Sequence, residues 1–423
     1  MNREDLVYKL NDKSKKVRLK SLKKLKKLEQ EDATLIPTKN ELAVNNHIHT
    51  SFSFSPYSPT KAVYMAYLSG LTTMGIVDHD TLSGADEFVD ACKILGTDAT
   101  IGLEVRTHFE KEEFKSRKIN NRYQNGLGYM TVYGIPETSI KPFNKLLSSL
   151  RKSRFERNAL MIERLNKKLK KYDLSINYDK DVVKNSFYKK GGTITERHIL
   201  YALSKKLIEK FGKGEKLVEF ISSSFKIELD ENNKRLLLDE SNPFYEYDVM
   251  TAIKSAVKNF YIEATTECLE VKELISIAKS YGGIVSYLYL GDRIDDKGNT
   301  IKLEDEYLPE LIVYLKELGV HSISYIPSTL TSEQLTRIKS LCKENELLEL
   351  SSESINSPRQ SFENASTETS EHDDLILSTW ALIGHQISVT SNVEDGMFTA
   401  KTIEKVPSLK ERIKLFARIG KND

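Results

Sequence analysis

The chain has 423 residues, with 63 Lys and Arg against 61 Asp and Glu and a formal net charge of +2, so it can bury a full core and is not a general polyanion binder. Three cysteines, Cys92, Cys268 and Cys342, stand far apart with no Cys-x-x-Cys spacing, which argues against a disulfide framework or a zinc ribbon. No apolar run approaches a membrane span and Met1-Asn2-Arg3-Glu4-Asp5 lacks a signal-peptide core, so the expectation is a cytoplasmic protein with no membrane partner.

The first predicted element is a basic helix. Between Lys13 and Lys27, Lys and Arg crowd around Leu19, Leu22, Leu25 and Leu28, whose three-residue spacing makes a drifting apolar stripe. Docking of that stripe is the plain expectation, since charge runs are usually solvated faces; a weak nucleic-acid contact by residues 13–27 is the sharper one.

Three short apolar runs follow, each ending in metal-ligating residue types. Ala43-Val44 leads to His47-Ile48-His49, Met74-Gly75-Ile76-Val77 to Asp78-His79-Asp80, and Thr100-Ile101 to Gly102-Leu103-Glu104. In a strand, residues two apart point the same way, so His47 and His49 can hold one cation between them. Ser58-Pro59-Thr60 opens a helix that stops at Gly70, and Ser83 opens another that runs to Gly96. The pattern is strand, helix, strand, helix, strand, with the candidate ligands at strand ends, as in (β/α) barrels. A lone His-x-His is more often a surface pair; charged groups closing three successive apolar strands need a partner, and a metal supplies one.

Beyond Glu104, the run Tyr129-Met130-Thr131-Val132-Tyr133 reads as a strand, Phe143 to Lys171 as one long charged helix, and Glu196 to Lys210 as another. Lys210 to Lys216 is glycine-spaced and basic without Walker spacing, so it reads as a helix-ending loop. Strand and helix alternation resumes with helix Val271–Lys279, strand Ile284–Tyr287, helix Glu306–Leu318, strand Ser322–Tyr325, helix Ser332–Asn345 and strand Leu347–Leu350. His108 continues a strand, His321 packs at the start of one, His372 faces solvent, and His385 caps a helix that ends at Gly384.

His47-Ile48-His49-Thr50, Ile76-Val77-Asp78-His79-Asp80-Thr81-Leu82-Ser83-Gly84 and Ile101-Gly102-Leu103-Glu104 resemble the opening motifs of the PHP family, the polymerase and histidinol phosphatase domain. Arg154 to Asn158, Ile162 to Leu165, Gly191 to His198 and Tyr281 to Val285 are similar to the branch with a helical insertion, which includes 5′ to 3′ exoribonucleases and phosphatases of nucleotide 3′,5′-bisphosphates. The resemblance covers roughly residues 40 to 390. It implies an α/β fold, a distorted (β/α)7-type barrel with a mostly helical insertion. The expected boundaries are a basic extension at 1–40, the barrel at 41–140 and 261–395, the insertion at 141–260 and a helical tail at 396–423.

The activity so implied is metal-dependent hydrolysis of a phosphate ester in a nucleotide, short oligonucleotide or other small phosphorylated substrate, with no side-chain nucleophile. The implied ligands are His47, His49, Asp78, His79, Glu104, His198 and Glu353, enough for one or two divalent cations, with Mn, Zn and Fe all open. Two histidines of the family pattern are replaced, by Tyr133 and Tyr289, which become substituted ligand positions. Arg154, Arg157, Arg197 and Arg359 are the candidates for holding phosphate. The alternative is a degenerate member that binds metal or ligand without turnover and engages a nucleic acid or protein through its basic arm.

Overall fold

The computed structural model describes residues 2–294, 300–362 and 373–422. Seven strands form the main sheet: β1 (Asn40–Ile48), β2 (Leu71–His79), β3 (Asp98–His108), β4 (Leu127–Tyr133), β6 (Ile284–Tyr289), β9 (Ser322–Tyr325) and β10 (Leu348–Ser351), in that spatial order, with the short β5 (Leu269–Glu270) on β3. A separate ribbon pairs β7 (Arg293–Ile294) with β8 (Thr300–Ile301). Past β10 the chain returns to the first strand: His49 N–H donates to the Ile355 carbonyl at 3.0 Å and Ile355 N–H to the His47 carbonyl at 3.1 Å. That bridge nearly closes a barrel. β4 runs antiparallel to both neighbours, whereas the other main-sheet pairs are parallel. The link from β3 to β4 holds only the four-residue helix Glu112–Lys115, too little for a parallel crossover.

Alternation along the strands divides the side chains between two faces. Ile48, Ile76, Ile101, Leu103, Val132 and Ile323 join the large core shared with the surrounding helices, among them Pro59–Leu68, Ala85–Leu95, Val271–Ser280 and Leu308–Leu318. On the other face, Val77, Tyr133, Ile284, Leu348 and Leu350 pack against Leu382 of the helix Asp373–Ser391 and Phe416 of the helix Leu409–Lys421. Asn46 Nδ2 donates to Thr379 Oγ1 at 2.8 Å and Ile101 N–H to Gln386 Oε1 at 2.8 Å, which seats the first of these helices against β1 and β3.

The long helix expected from Phe143 to Lys171 is two helices, Ile140–Leu146 and Ser148–Leu169. With Glu196–Phe211, Glu215–Ser223, Glu231–Leu238 and Tyr245–Ala252, the second builds its own apolar core, to which buried Phe54 and partly buried Tyr123 come from the barrel side. The amino-terminal helix Lys15–Glu31 docks through Leu22 and Leu25. Its Arg18, 1% exposed, pairs with buried Glu87 of the barrel-side helix Ala85–Leu95. Lys16, Lys20, Lys23 and Lys24 stay exposed.

Gly384 does not end a helix, because the helix runs on to Ser391. It lies where a β-carbon would come within 1.8 Å of the Phe416 carbonyl, so the glycine permits a close helix crossing.

Candidate metal centre

β1 is irregular in its pairing with β2 between Asn45 and Ile48, and it delivers His47 and His49 to the same side. Across β2, His79 stands opposite Glu104 of β3 in register. His47 Nε2 is 3.2 Å from Glu104 Oε2 and His79 Nδ1 is 3.0 Å from Glu104 Oε1, so one carboxylate stands between two imidazoles. The His49 ring stacks on His79 with centroids 4.8 Å apart and meets His47 edge-on at 4.9 Å. One ligand atom from each of His47, His49 and Glu104 lies within 4.8 Å of the others, and all three residues are buried.

The donor set suits a cation. His49 Nδ1 and His47 Nε2 are buried without a hydrogen-bond partner, the latter close to Glu104 but poorly aligned with it, and such atoms are costly unless something binds them. Burial, helped by the neighbouring imidazoles, holds His49 well below its ordinary pKa and therefore neutral, the form that ligates. Burial would raise the Glu104 carboxyl, but His79 and His47 outweigh it and keep the group well below the usual carboxylate range.

The other expected ligands are placed differently. Asp78 takes the Thr50 N–H at 2.7 Å, Thr50 Oγ1 at 2.5 Å and Ser53 Oγ at 2.5 Å, so both its oxygens brace the loop after β1. His198 Nδ1 accepts the Thr195 N–H at 3.0 Å as part of the cap of its own helix, and His198 is outside the group of mutually close donors; burial pushes its pKa down to about 3. Glu353 accepts from Ser328 N–H at 3.4 Å and is outside the group of mutually close donors.

The two tyrosines do not share a cavity. Tyr133 Oη is 3.1 Å from His47 Nδ1 and 3.1 Å from Ser352 Oγ, at the centre, and burial pushes its phenol up to about 12. Tyr289 donates to Asp305 Oδ1 at 2.6 Å and belongs to the helix-side core with Tyr287 and Tyr325. The reason is the period of two: on β6 the inward positions are Ile284, Ser286 and Leu288.

Three of the four candidate arginines are already paired. Arg154 binds Asp80 at 2.6 Å and Glu196 at 3.2 Å, Arg157 binds Glu267 at 2.6 Å and also Glu196, and Arg359 holds Asp248 at 2.7 Å. Arg197 differs. It donates to the Asn356 carbonyl at 3.1 Å and lies over the Phe54 ring, its Nε is buried without a partner, and among the described residues no carboxylate pairs with it. Burial drops its pKa to about 10.

Arg106 is the residue that sequence reasoning missed. It lies two positions beyond Glu104 on the same face of β3, so alternation would have found it. It binds Glu267 at 2.7 Å and Glu196 at 2.8 Å, and Tyr129 accepts from it at 3.2 Å. Together with His79, Arg122, Arg197 and Lys254 it lines a cavity of about 180 Å³ between the imidazoles and the inserted helices. A second cavity, of about 90 Å³ beside His321 and His385, is at the opposite ends of β6 and β9. His321 stacks on Phe398 there, and His385 accepts the Met397 N–H and meets the Gly282 carbonyl. His108 Nε2 contacts the Thr265 carbonyl, and His372 is outside the described residues.

Among known proteins, the PHP domain family model matches residues 45–267, just over half of the chain. A 5′-3′ exoribonuclease of Haemophilus influenzae is 38% identical over 64 residues, 15% of this chain and 23% of that protein, so the match spans under a quarter of the relative. A chain of Bifidobacterium adolescentis, provisionally assigned as a metal-dependent phosphoesterase, has a similar fold, with TM-score 0.52 and 20% identity over 79% of this chain and 96% of its own. An amidohydrolase of Chromobacterium violaceum, solved with sulfate and no metal, aligns at TM-score 0.49 and 14% identity over 76% of this chain and 90% of its own. No helix among the described residues is long and apolar enough to cross a membrane.

Proposed function

The chain belongs to the PHP domain family, and from that premise we propose that it is a metal-dependent hydrolase acting on a phosphate ester. The observation that carries the reading is the donor set itself: Glu104 between His47 and His79, with ring nitrogens of His47 and His49 buried and unpartnered. His47, His49 and Glu104 would hold the cation with His79 beside them, a mixed nitrogen and oxygen set that suits Zn, Mn or Fe. The chemistry that such a cation supplies is acidification of a water molecule and neutralisation of charge on a phosphoryl group.

The residues of the chain set the rest. Arg197, half-buried with its Nε unpartnered and no carboxylate on it among the described residues, favours an anion in the cavity next to His79, and Arg122 and Lys254 add positive charge to its wall. Arg106, Arg154 and Arg157 neutralise Asp80, Glu196 and Glu267, so those carboxylates do not repel an entering phosphate. The substrate class favoured is a small phosphorylated compound, a nucleotide or a short oligonucleotide. The exposed lysines of the amino-terminal helix suit a weak contact of residues 13–27 with nucleic acid.

The test is turnover of a phosphoester panel, including nucleotide 3′,5′-bisphosphates and short oligonucleotides, by full-length protein loaded with Mn or Zn. Wild type is expected to hydrolyse at least one member only with metal. Glu104→Gln keeps the shape but removes a charged ligand, and should lose at least about 100-fold in rate. Metal binding without turnover across the panel would favour a non-catalytic binding protein, the reading in which the basic helix engages the partner.

A further inference from the structure

His47 has two ring nitrogens and the structure gives them different surroundings. Nε2 faces Glu104 Oε2 at 3.2 Å and has no well-formed hydrogen bond, while Nδ1 is 2.7 Å from Ser352 Oγ and 3.1 Å from Tyr133 Oη. A neutral imidazole that gives one nitrogen to a cation must carry its proton on the other. Ser352 Oγ is placed to accept a hydrogen bond from that N–H, and the placement is rigid. Its own N–H donates to the Tyr325 carbonyl at 2.9 Å, and Ile355, three residues on, is tied to β1 by the paired backbone bonds that close the barrel. Tyr133 Oη, 3.1 Å from Ser352 Oγ, backs the serine from the neighbouring wall.

That wall has a second consequence. Beyond Tyr133 and Ser352, the inward positions of β4, β6 and β9 are Tyr129, Thr131, Ile284, Ser286, Leu288, Ser322 and Ser324, and none offers an imidazole or carboxylate. Among the described residues, the mutually close donors are His47 and His49, on and just past β1, and Glu104 of β3. The carboxylates closest in sequence, Asp78 and Asp80, are saturated by Thr50 and Ser53 or paired with Arg154.

We infer that Ser352, backed by Tyr133, is the positioning residue that commits His47 to ligation through Nε2, in a centre that holds a single cation. This rests on the reading of His47, His49 and Glu104 as ligands. Neutral hydroxyls here take the place of the carboxylate or carbonyl that more often orients a ligating histidine. They hold the ring without adding charge, and Ser352 Oγ can accept the Nδ1–H that ligation through Nε2 requires.

The experiment uses the full-length protein stripped with chelator and titrated calorimetrically with zinc, with metal content measured after dialysis. One zinc per chain is expected for wild type. Ser352→Ala should keep that stoichiometry and bind at least about tenfold more weakly, the usual range for loss of an orienting partner. Ser286→Ala, whose hydroxyl meets Ser322 Oγ at 3.1 Å instead, should bind as wild type does. Nitrogen-15 and proton NMR of the zinc-loaded protein should show His47 protonated at Nδ1, with that proton downfield in wild type, where Ser352 accepts it, and further upfield in Ser352→Ala, a readout that a merely space-filling serine would not set. Two or more zinc ions per chain, an unchanged affinity in Ser352→Ala, or a His47 protonated at Nε2 would each overturn the inference. A wild type that binds no zinc would remove the metal reading itself and this inference with it.

Discussion

Arg197 is half-buried beside the imidazoles and, among the described residues, meets a backbone carbonyl and an aromatic face but no carboxylate, whereas Arg106, Arg154 and Arg157 each have carboxylates. Replacing Arg197 by Ala should therefore raise KM for a phosphorylated substrate about tenfold or more, with a smaller change in kcat and little loss of stability. The same change at Arg154 should cost about 3–5 kcal/mol of folding stability, because Asp80 and Glu196 lose a buried partner. Equal thermal midpoints for the two variants would refute this division of labour. Glu304 is the opposite case, a buried carboxyl whose Oε1 accepts the Leu290 N–H while Oε2 has no partner. Burial pushes its pKa from 4.5 up to about 7. Its folded pKa lies above the unfolded one, so its stabilising contribution is complete below about pH 4.5 and is lost as pH rises to about 7. Glu304→Gln keeps the acceptor and removes the charge. It should raise stability at pH 8 by about 1–3 kcal/mol and flatten the dependence between pH 4.5 and 7, as read by urea unfolding at several pH values.

The two helices that close one end of the barrel show why an element can run through a residue that looks like its stop. Gly384 sits in the interior of Asp373–Ser391, and a β-carbon there would meet the Phe416 carbonyl; one at Gly420 on the facing helix would come within 2.1 Å of the Trp380 carbonyl. Mutual glycines let the two backbones touch. Gly384→Ala cannot be relieved by a side-chain rotation, since the obstacle is backbone, and it should cost about 3 kcal/mol. Thermal unfolding would register this as a lower midpoint with an unchanged far-ultraviolet spectrum, and a wild-type midpoint would show that the crossing is looser than drawn. Expected ends held where a cap or a change of period marks them, as at Ser58-Pro59 and at Thr331, which caps Ser332–Glu344. They failed at Gly384, because a glycine needed for contact and one needed for termination look alike in sequence.

At the scale of the molecule, the barrel and the inserted helices meet through a charge cluster. Arg106 of β3 and Arg154 and Arg157 of Ser148–Leu169 face Asp80 after β2, Glu196 at the start of Glu196–Phe211, and Glu267 just before β5. Three cations balance three anions, so each removal leaves a desolvated excess. Glu267→Gln should cost about 3 kcal/mol. Hydrogen exchange should quicken in the helices between residues 196 and 252 before it changes in β1 to β3, because the second core has few barrel residues of its own. Uniform acceleration across both parts would mean that the cluster is not the joint between them.

What the sequence determined by itself was local and periodic. His-x-His on one strand, with acidic and imidazole groups closing the next two, located the centre at His47, His49, His79 and Glu104, because parallel neighbours bring their ends together whatever the rest of the chain does. Spacing also supplied most of the strands and helices of the α/β barrel. Only the tertiary structure decided which remaining candidates reach the centre. Asp78 turned to Thr50 and Ser53, His198 to its own helix cap, Tyr289 to the outer face, and Arg154, Arg157 and Arg359 to carboxylates far away in sequence. The physical reason is that a buried polar group takes whichever partner the fold brings within about 3 Å, and partners as far apart as Arg359 and Asp248, 111 positions, carry no local sign of that choice.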